Sequence, residues 1–506
     1  MKPSRDFTSR LNAARKIRRE IEPYIKEALS FCAPGREKDF DNRRKREHEE
    51  AENLHSLGEE LTSDLSTDLV SYYFPDEQRW ASYDYTIEVP EDQQAQVQAE
   101  VQAREDASFT LLESSNFNEI KASVMLEAAI HGTPAMWVDI AHTTRPVHCQ
   151  VVPPSELLLV PGHLGYLDRF RETTVPARTV DALFAQDQVT IPKEIREKQK
   201  KTDATLKVCW GYWLDWSDPG NPQWLREITL DGKRISQESE RIGPMAGACP
   251  LLVGRFNAWP GRAWGRGAGL KALPDLRLLN RLDEVILEGL DQSLTNTMIY
   301  PDDGFLDLSE GLTAGVAHPA GRGFNRNSIY EVPTGTNLDL GYFTEERIEE
   351  RLRVAFFQDG PRQRGDTPPS ATQWSDQRRM AQRRLGRPSA TIFSELGADL
   401  IKRIEHIGVQ IGRLPDAITH AGDVISLTPI SPLQIAADLD KVVTTRSNLD
   451  LGMQTFGPEA LGQYVDIPGT LTNVIKATGD DLIVLQSPED NTDDPTTTGS
   501  GQGPAA

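Results

Sequence analysis

The chain has 506 residues, a mass of 56.4 kDa and a formal net charge of −21. With 38% apolar and 26% charged residues it can bury roughly two to four domain cores and is not a disordered chain. The acidic balance excludes a protein that coats nucleic acid through bulk positive charge, while leaving room for a surface that lets polyanions pass without adhering. Cys32, Cys149, Cys209 and Cys249 form no C-x-x-C pair, which excludes a zinc knuckle or a thioredoxin motif. So few thiols fit a reducing compartment better than a disulfide scaffold. The basic N-terminus has no apolar segment behind it, and no run approaches the ~18 apolar residues that span a bilayer. The expectation is a soluble intracellular protein without a membrane partner.

In chain order, Phe7, Leu11, Ala14, Ile17, Ile21, Ile25 and Leu29 recur at helical spacing and predict a helix over 5–33, kinked or split at Pro23. Residues 1–48 hold 14 basic and 8 acidic side chains, densest at Arg43-Arg44-Lys45-Arg46, as a solvated helix end or a contact for an acidic partner. A second helix is expected over 48–74, a strand over 81–89, and helices over 91–113 and 116–131, the last stopped by Gly132 and Pro134. Short strands follow near 135–140, 147–152, 156–160 and 165–175, then a helical patch over 179–200. Residues 205–240 are the clearest β region: Leu225–Leu230 and Lys233–Gln237 flank Asp231-Gly232, a hairpin signal. Six of nine tryptophans lie between Trp210 and Trp264, as a packed sheet face or, alternatively, a platform for sugars or bases.

Leu273, Leu276, Leu279, Leu282, Ile286, Leu290 and Leu294 predict a long helix over 270–295 with a narrow apolar stripe, too thin to bury in a monomer core. A second helix is expected over 343–358, with Ile348, Leu352 and Ala355 on one face. Between them, 296–341 holds short strand-like pieces, so the two helices form a hairpin-like arm around a small insert. Residues 359–370 read as a loop, and 371–411 as a helix kinked at Gly386 and Pro388. After Pro415 comes a strand-like VISLTPISPL, then helices within 432–478 and a low-complexity tail over the last twenty residues.

Enzyme signatures fail. No Walker loop, H-E-x-x-H or G-x-S-x-G occurs, and the run Gly265-Arg266-Gly267-Ala268-Gly269 misses G-x-G-x-x-G because position 270 is Leu. That run is expected to be a flexible lead into the helix. His142, His148 and Cys149 come nearest to a metal set, and no metal site and no cofactor is expected. One constellation stands out by charge. Residues 361–387 carry seven arginines, among them Arg362, Arg364, Arg378, Arg379 and Arg383, against Asp366 and Asp376. Arginines on a loop beside a helix suit transient, sequence-independent phosphate contact, or pairing with acidic neighbours.

Three segments carry a family resemblance: PLLVGRFNAWPGRAWGRGAGLKALPDLRLLNRLDEVILEGLDQSL (250–294), ATQWSDQRRMAQRRLGRPSATIFSELGADLIKRIEHIGVQIGRLPD (371–416) and ISPLQIAADL (430–439). The first holds Arg255, then Gly265, Gly267 and Gly269 leading into a leucine-spaced helix with Asn280. In order and spacing the chain resembles the portal, or head-to-tail connector, proteins of short-tailed, podovirus-type phages, over roughly 5–480. It departs at 370–374, where Gln373 and Trp374 stand in place of an acidic residue often found after the family's threonine.

The resemblance implies an α+β, mostly helical portal fold, with a wing over 1–268, stem helices over 269–295 and 342–358 and a clip over 296–341. It further implies a tunnel loop over 359–373, a kinked wing helix and return strand over 374–429, crown helices over 430–486 and a disordered tail over 487–506. It implies a non-enzymatic dodecameric ring at one capsid vertex of the virion, assembled in the host cytoplasm. That ring passes double-stranded DNA during packaging and ejection and docks the terminase large subunit and a tail adaptor. Major capsid, scaffold or internal core proteins would be further partners. Arg362, Arg364, Arg378, Arg379 and Arg383 would touch DNA, and Leu276, Leu279, Leu282, Ile286 and Leu290 would pack stem against stem. A carbohydrate-active enzyme, suggested by the tryptophan cluster, and another oligomeric scaffold are the alternatives.

Overall fold

A computed structural model describes residues 2–40, 53–76, 79–81, 83–85, 91–141, 145–185, 189–199, 204–294, 298–299, 330–331, 338–358, 384–386, 388, 390–415, 419–420, 423–424, 427–429, 432–456 and isolated positions from 465 to 474. The chain mixes helix and sheet and divides into two units, one of residues 1–71 with 106–416, the other of residues 72–105 with 417–506.

The first unit opens on α1 (Arg5–Cys32), capped by Ser4, whose Oγ accepts the Phe7 N–H at 3.1 Å. α1 runs through Pro23 as one helix, so the split that the sequence allowed there does not occur. An interior proline costs about 3 kcal/mol. The loss is offset because both halves are anchored, Phe7, Leu11 and Ala14 before it and Ile25, Ala28, Leu29 and Cys32 after it being buried. α2 (Leu57–Tyr73) and α4 (Phe117–Ile130) follow, with α3 (Glu91–Glu113) between them in sequence and lying mostly in the second unit.

The main sheet is an antiparallel meander. It contains β4 (Leu157–Pro161), β5 (Leu167–Pro176), β6 (Thr205–Asp215), β7 (Gln223–Leu230) and β8 (Lys233–Arg234), with β9 (Glu240–Pro244) also paired to β7. The β7–β8 turn has positive φ at both Asp231 (48°) and Gly232 (74°), as a tight hairpin turn requires. Two short helices, α5 (Val180–Leu183) and α6 (Lys193–Gln199), lie between β5 and β6. A second antiparallel sheet joins β2 (Ala135–Ile140) to both β3 (Val147–Val151) and β10 (Leu251–Val253).

α1 lies on the main sheet where Gly211 leaves room. A β-carbon there would stand 2.6 Å from the Phe7 ring. Phe7 packs edge-on to Phe170 at 5.8 Å and beside Trp213 at 6.2 Å. Arg10 pairs with Asp168 at 2.7 Å, and Arg15 with Glu172 at 2.6 Å. Trp213 is buried in this packing, Trp210 is buried beside Trp137 and Phe184, and Trp224 is buried beside Arg169, so none of these three presents an open ring to a sugar. All four cysteines are free and buried. Burial pushes the Cys32 thiol up to about 12 and those of Cys149 and Cys249 to about 11.

Helical residues 390–392 lead into a π-turn at Phe393–Gly397 and then α9 (Ala398–Gln410), so the described irregularity of this helix falls just after the Gly386/Pro388 region. Arg403, 5% exposed, keys α9 to β2 and to the connection between β9 and β10. Its guanidinium donates to the carbonyls of Val138 (3.0 Å), Gly247 (3.1 Å) and Ala248 (3.0 Å) and to Asp139 (3.1 Å).

In the second unit β1 (Tyr83–Tyr85) pairs antiparallel with β15 (Leu427–Pro429). The predicted strands at 81–89 and after Pro415 thus find each other across the sequence. This unit also contains residues 91–105 of α3, a small hairpin of β13 (Thr419–His420) and β14 (Asp423–Val424), and α10 (Pro432–Phe456).

Candidate assembly site: a two-helix arm on a glycine clasp

α7 (Ala268–Leu294) and α8 (Leu338–Ala355) form the arm, with β11 (Met298–Ile299) and β12 (Tyr330–Glu331) as an antiparallel pair between them in sequence. Asp275 meets Arg351 at 2.6 Å, while Asp283, further along α7, lies in the field of Glu349. The helices therefore run antiparallel, as the sequence predicted.

The start of α7 is fixed by close backbone approach, not by the flexible glycine lead expected from the sequence. A β-carbon on Gly265 would stand 1.9 Å from the Gly132 carbonyl oxygen, and one on Gly267 would stand 2.5 Å from that of Ile130. Gly132, at φ +82°, ends α4 in the left-handed region. The Gly265 N–H donates to Thr133 Oγ1 at 2.9 Å, and the Phe256 N–H to the Gly132 carbonyl at 2.8 Å. The glycines leave no cradle for a phosphate, because backbone already fills it.

The other residues that carried the resemblance also have positioning roles. Arg255 makes a two-pronged contact to Glu395 in the π-turn, its Nε 3.0 Å from both carboxylate oxygens. Asn280 Oδ1 accepts the Leu54 N–H at 3.0 Å, tying the chain ahead of α2 to the arm. Arg277 pairs with Glu27 of α1, an Nη2–Oε2 distance of 2.6 Å, and this contact holds the Glu27 carboxyl below its usual range.

Packing inside the arm consumes much of the leucine stripe. Leu276 (4% exposed), Leu279 (2%) and Ile286 (9%) are buried within the chain, together with Ile348, Leu352 and Phe356 at the α8 end. Leu282 and Leu290 are half-buried. The stripe is thus not left bare for a neighbouring copy, because α8, α1 and α2 cover its inner edge. The outward apolar residues are others: Leu278, Val285 and Leu287 on α7, Phe343 and Val354 on α8. Leu278 and Val285 stand one heptad apart on one face.

The histidine–carboxylate group of the arm escaped sequence reading. His55, Glu345 and Glu349 have ligand atoms within 4.8 Å of one another, from segments almost three hundred residues apart. The one signal was the Glu345/Glu349 spacing of a single helical turn. The hydrogen bonding argues against a metal. The Leu57 N–H donates to His55 Nδ1 at 3.0 Å, so that nitrogen is already engaged, and Nε2 faces Glu349 Oε1 at 3.4 Å. The group is a polar contact between the α2 lead and α8. Burial, then the nearby Asp283 and Glu349 charges, raise the Glu345 carboxyl, with His55 opposing. Burial likewise raises Asp283, against the pull of His55 and with the push of Glu349. His148, by contrast, is exposed and Cys149 buried on the alternate face of β3, and His142 lies outside the described residues. The arginines assigned to DNA, Arg362, Arg364, Arg378, Arg379 and Arg383, also lie outside the described residues.

The chain carries a clasped two-helix arm on a sheet body, and residues 4–485 match the family model described as bacteriophage head to tail connecting protein. The chain belongs to that family. Among solved structures it is similar to a chain from the neck of an empty GTA particle computed with C6 symmetry, at 11% identity and a TM-score of 0.39, over 89% of this chain and 93% of that one. A chain from the virion of a native gene transfer agent particle matches at 14% identity and a TM-score of 0.35, over 72% of this chain and 83% of that one. No curated protein matches the chain. Among the described residues, no helix of this connector is long and apolar enough to cross a membrane.

Proposed function

We propose that the chain is the portal subunit of a tailed phage, working by assembly and passage rather than catalysis. Twelve copies close a ring at one capsid vertex, assembled in the host cytoplasm and retained in the virion. α7 and α8 are the stem of that ring and the segment between them its clip. Residues 1–268 and 374–429 form the wing, 359–373 the tunnel loop and 430–486 the crown. The genome enters and leaves through the channel, with Arg362, Arg364, Arg378, Arg379 and Arg383 touching phosphates in transit. The terminase large subunit docks on the ring during packaging and a tail adaptor afterwards, and capsid, scaffold or core proteins surround it.

One observation carries the reading: a connector-family chain presents an antiparallel arm, rigidly clasped at its root, with apolar side chains turned outward. Such a surface is satisfied by repetition around a closed ring. Stem contacts between neighbours then run through Leu282 and Leu290 with Leu278, Val285 and Leu287, while Leu276, Leu279 and Ile286 hold each arm together. An acidic wall suits a channel that must not bind its cargo. Light scattering on the purified protein, with electron micrographs of the same peak, tests this. Twelve chains of 56.4 kDa give a particle of ~677 kDa with a central hole. A protein that stays monomeric on concentration overturns the proposal.

A further inference from the structure

A groove of about 350 Å³ lies between α1 and the root of α7, outside the stem surface described above. One wall is Ile17, Ile21 and Tyr24, and the other is Trp259, Leu270 and Leu273. Tyr24 is 55% exposed and Trp259 49%, a large share of apolar ring for a soluble surface to leave uncovered. Trp264 also lines the groove. It is 5% exposed, and its indole N–H is buried without a hydrogen-bond partner. Arg262 and Arg266 stand on the rim, Arg266 over the Trp259 ring at 5.4 Å. Neither guanidinium has a carboxylate partner among the described residues, although the chain carries a net charge of −21. Glu20 is the carboxylate on the lining.

Exposed aromatic rings and arginines around one apolar groove are the make-up of an interface centre. We infer that this groove is filled by a second copy of the same chain, so that α1 and the root of α7 form the receiving side of a heterologous contact. Two features favour a second copy over other occupants. A second copy carries a net charge of −21, which complements the two rim arginines, and the groove includes Leu270 and Leu273 of α7, whose outward face the ring reading already places against a neighbour. The inference rests on that reading and extends it from the stem to the underside of the wing.

Photocrosslinking tests it on the full chain. p-Benzoylphenylalanine replaces Trp259 in one variant and Tyr24 in a second, so that a folding failure of either leaves the other. Light scattering first establishes the assembly state. Irradiation of intact rings is expected to convert chains into a covalent dimer at twice the 56.4 kDa chain mass on a denaturing gel, with mixed light and heavy chains yielding light–heavy crosslinked peptides. Intact rings that give no dimer from either position overturn the groove assignment and leave the ring reading standing. Monomers at every concentration, in the unmodified protein, overturn both.

Discussion

At the residue scale, the strongest constraints are on atoms that cannot move. Gly267 sits against backbone carbonyls of Ile130 and Ala129, at 2.5 and 2.7 Å from where a β-carbon would be. Neither neighbour is a flexible side-chain end, so Gly267→Ala must shift the root of α7. It is expected to cost about 2–3 kcal/mol in urea unfolding, whereas a merely flexible glycine would tolerate the change. Glu345 sets an electrostatic test. A carboxyl whose folded pKa is raised takes up a proton on folding, so stability is greater below that pKa and declines as pH rises through it. Glu345→Gln therefore raises the melting temperature at neutral pH, and the gain vanishes toward about pH 4, where the wild-type carboxyl is itself protonated. A variant that melts lower at pH 7 would show that the His55 contact outweighs the repulsion. The glycine run was visible in the sequence, but its purpose was not, because the partner backbone at 129–132 is more than a hundred residues away. The His55 contact was hidden for the same reason.

At the element scale, the arm separates what holds a chain from what joins chains. Helical spacing located both helices and the apolar stripe, because a 3.6-residue period records one buried face. It could not say which edge of the stripe α8 covers, since that depends on the rotation of two helices about their axes. The distinction has a measurable consequence. Leu278→Asp with Val285→Asp places charges on exposed positions and is expected to leave melting within about 1 kcal/mol of wild type while abolishing the large particle in light scattering. Ile286→Asp buries an unpaired charge inside the arm and is expected to unfold it, at a cost of several kcal/mol. Loss of rings from the Ile286 change alone would place assembly elsewhere than on the outer face. α1 is a further instance, where burial on both sides of Pro23 overrode a local helix-breaking signal.

At the scale of the whole molecule, the chain is two units, one of them assembled from residues 72–105 and 417–506. The β1–β15 pair inside that unit makes the discontinuity concrete, with Tyr83–Tyr85 meeting Leu427–Pro429. The ring reading belongs to this scale too. In that reading, the outward apolar groups of the arm and the separate aromatic–arginine groove at its root meet neighbours as two different patches, as heterologous contacts in a closed ring do. Particle mass and crosslinks are the measurements that act here, since neither is a property of one subunit.

Element type and order were determined by the sequence itself, from α1 through the β7–β8 hairpin to the two arm helices, because periodicity, capping and turn chemistry act over a few residues. The order of those parts also carried the connector resemblance. Tertiary structure alone decided that Gly265 and Gly267 are a clasp, that Trp210, Trp213 and Trp224 are core, and that Leu276, Leu279 and Ile286 belong to the arm's interior. Each of these depends on a contact between residues far apart in the chain, and such a contact leaves no period or spacing from which it can be read.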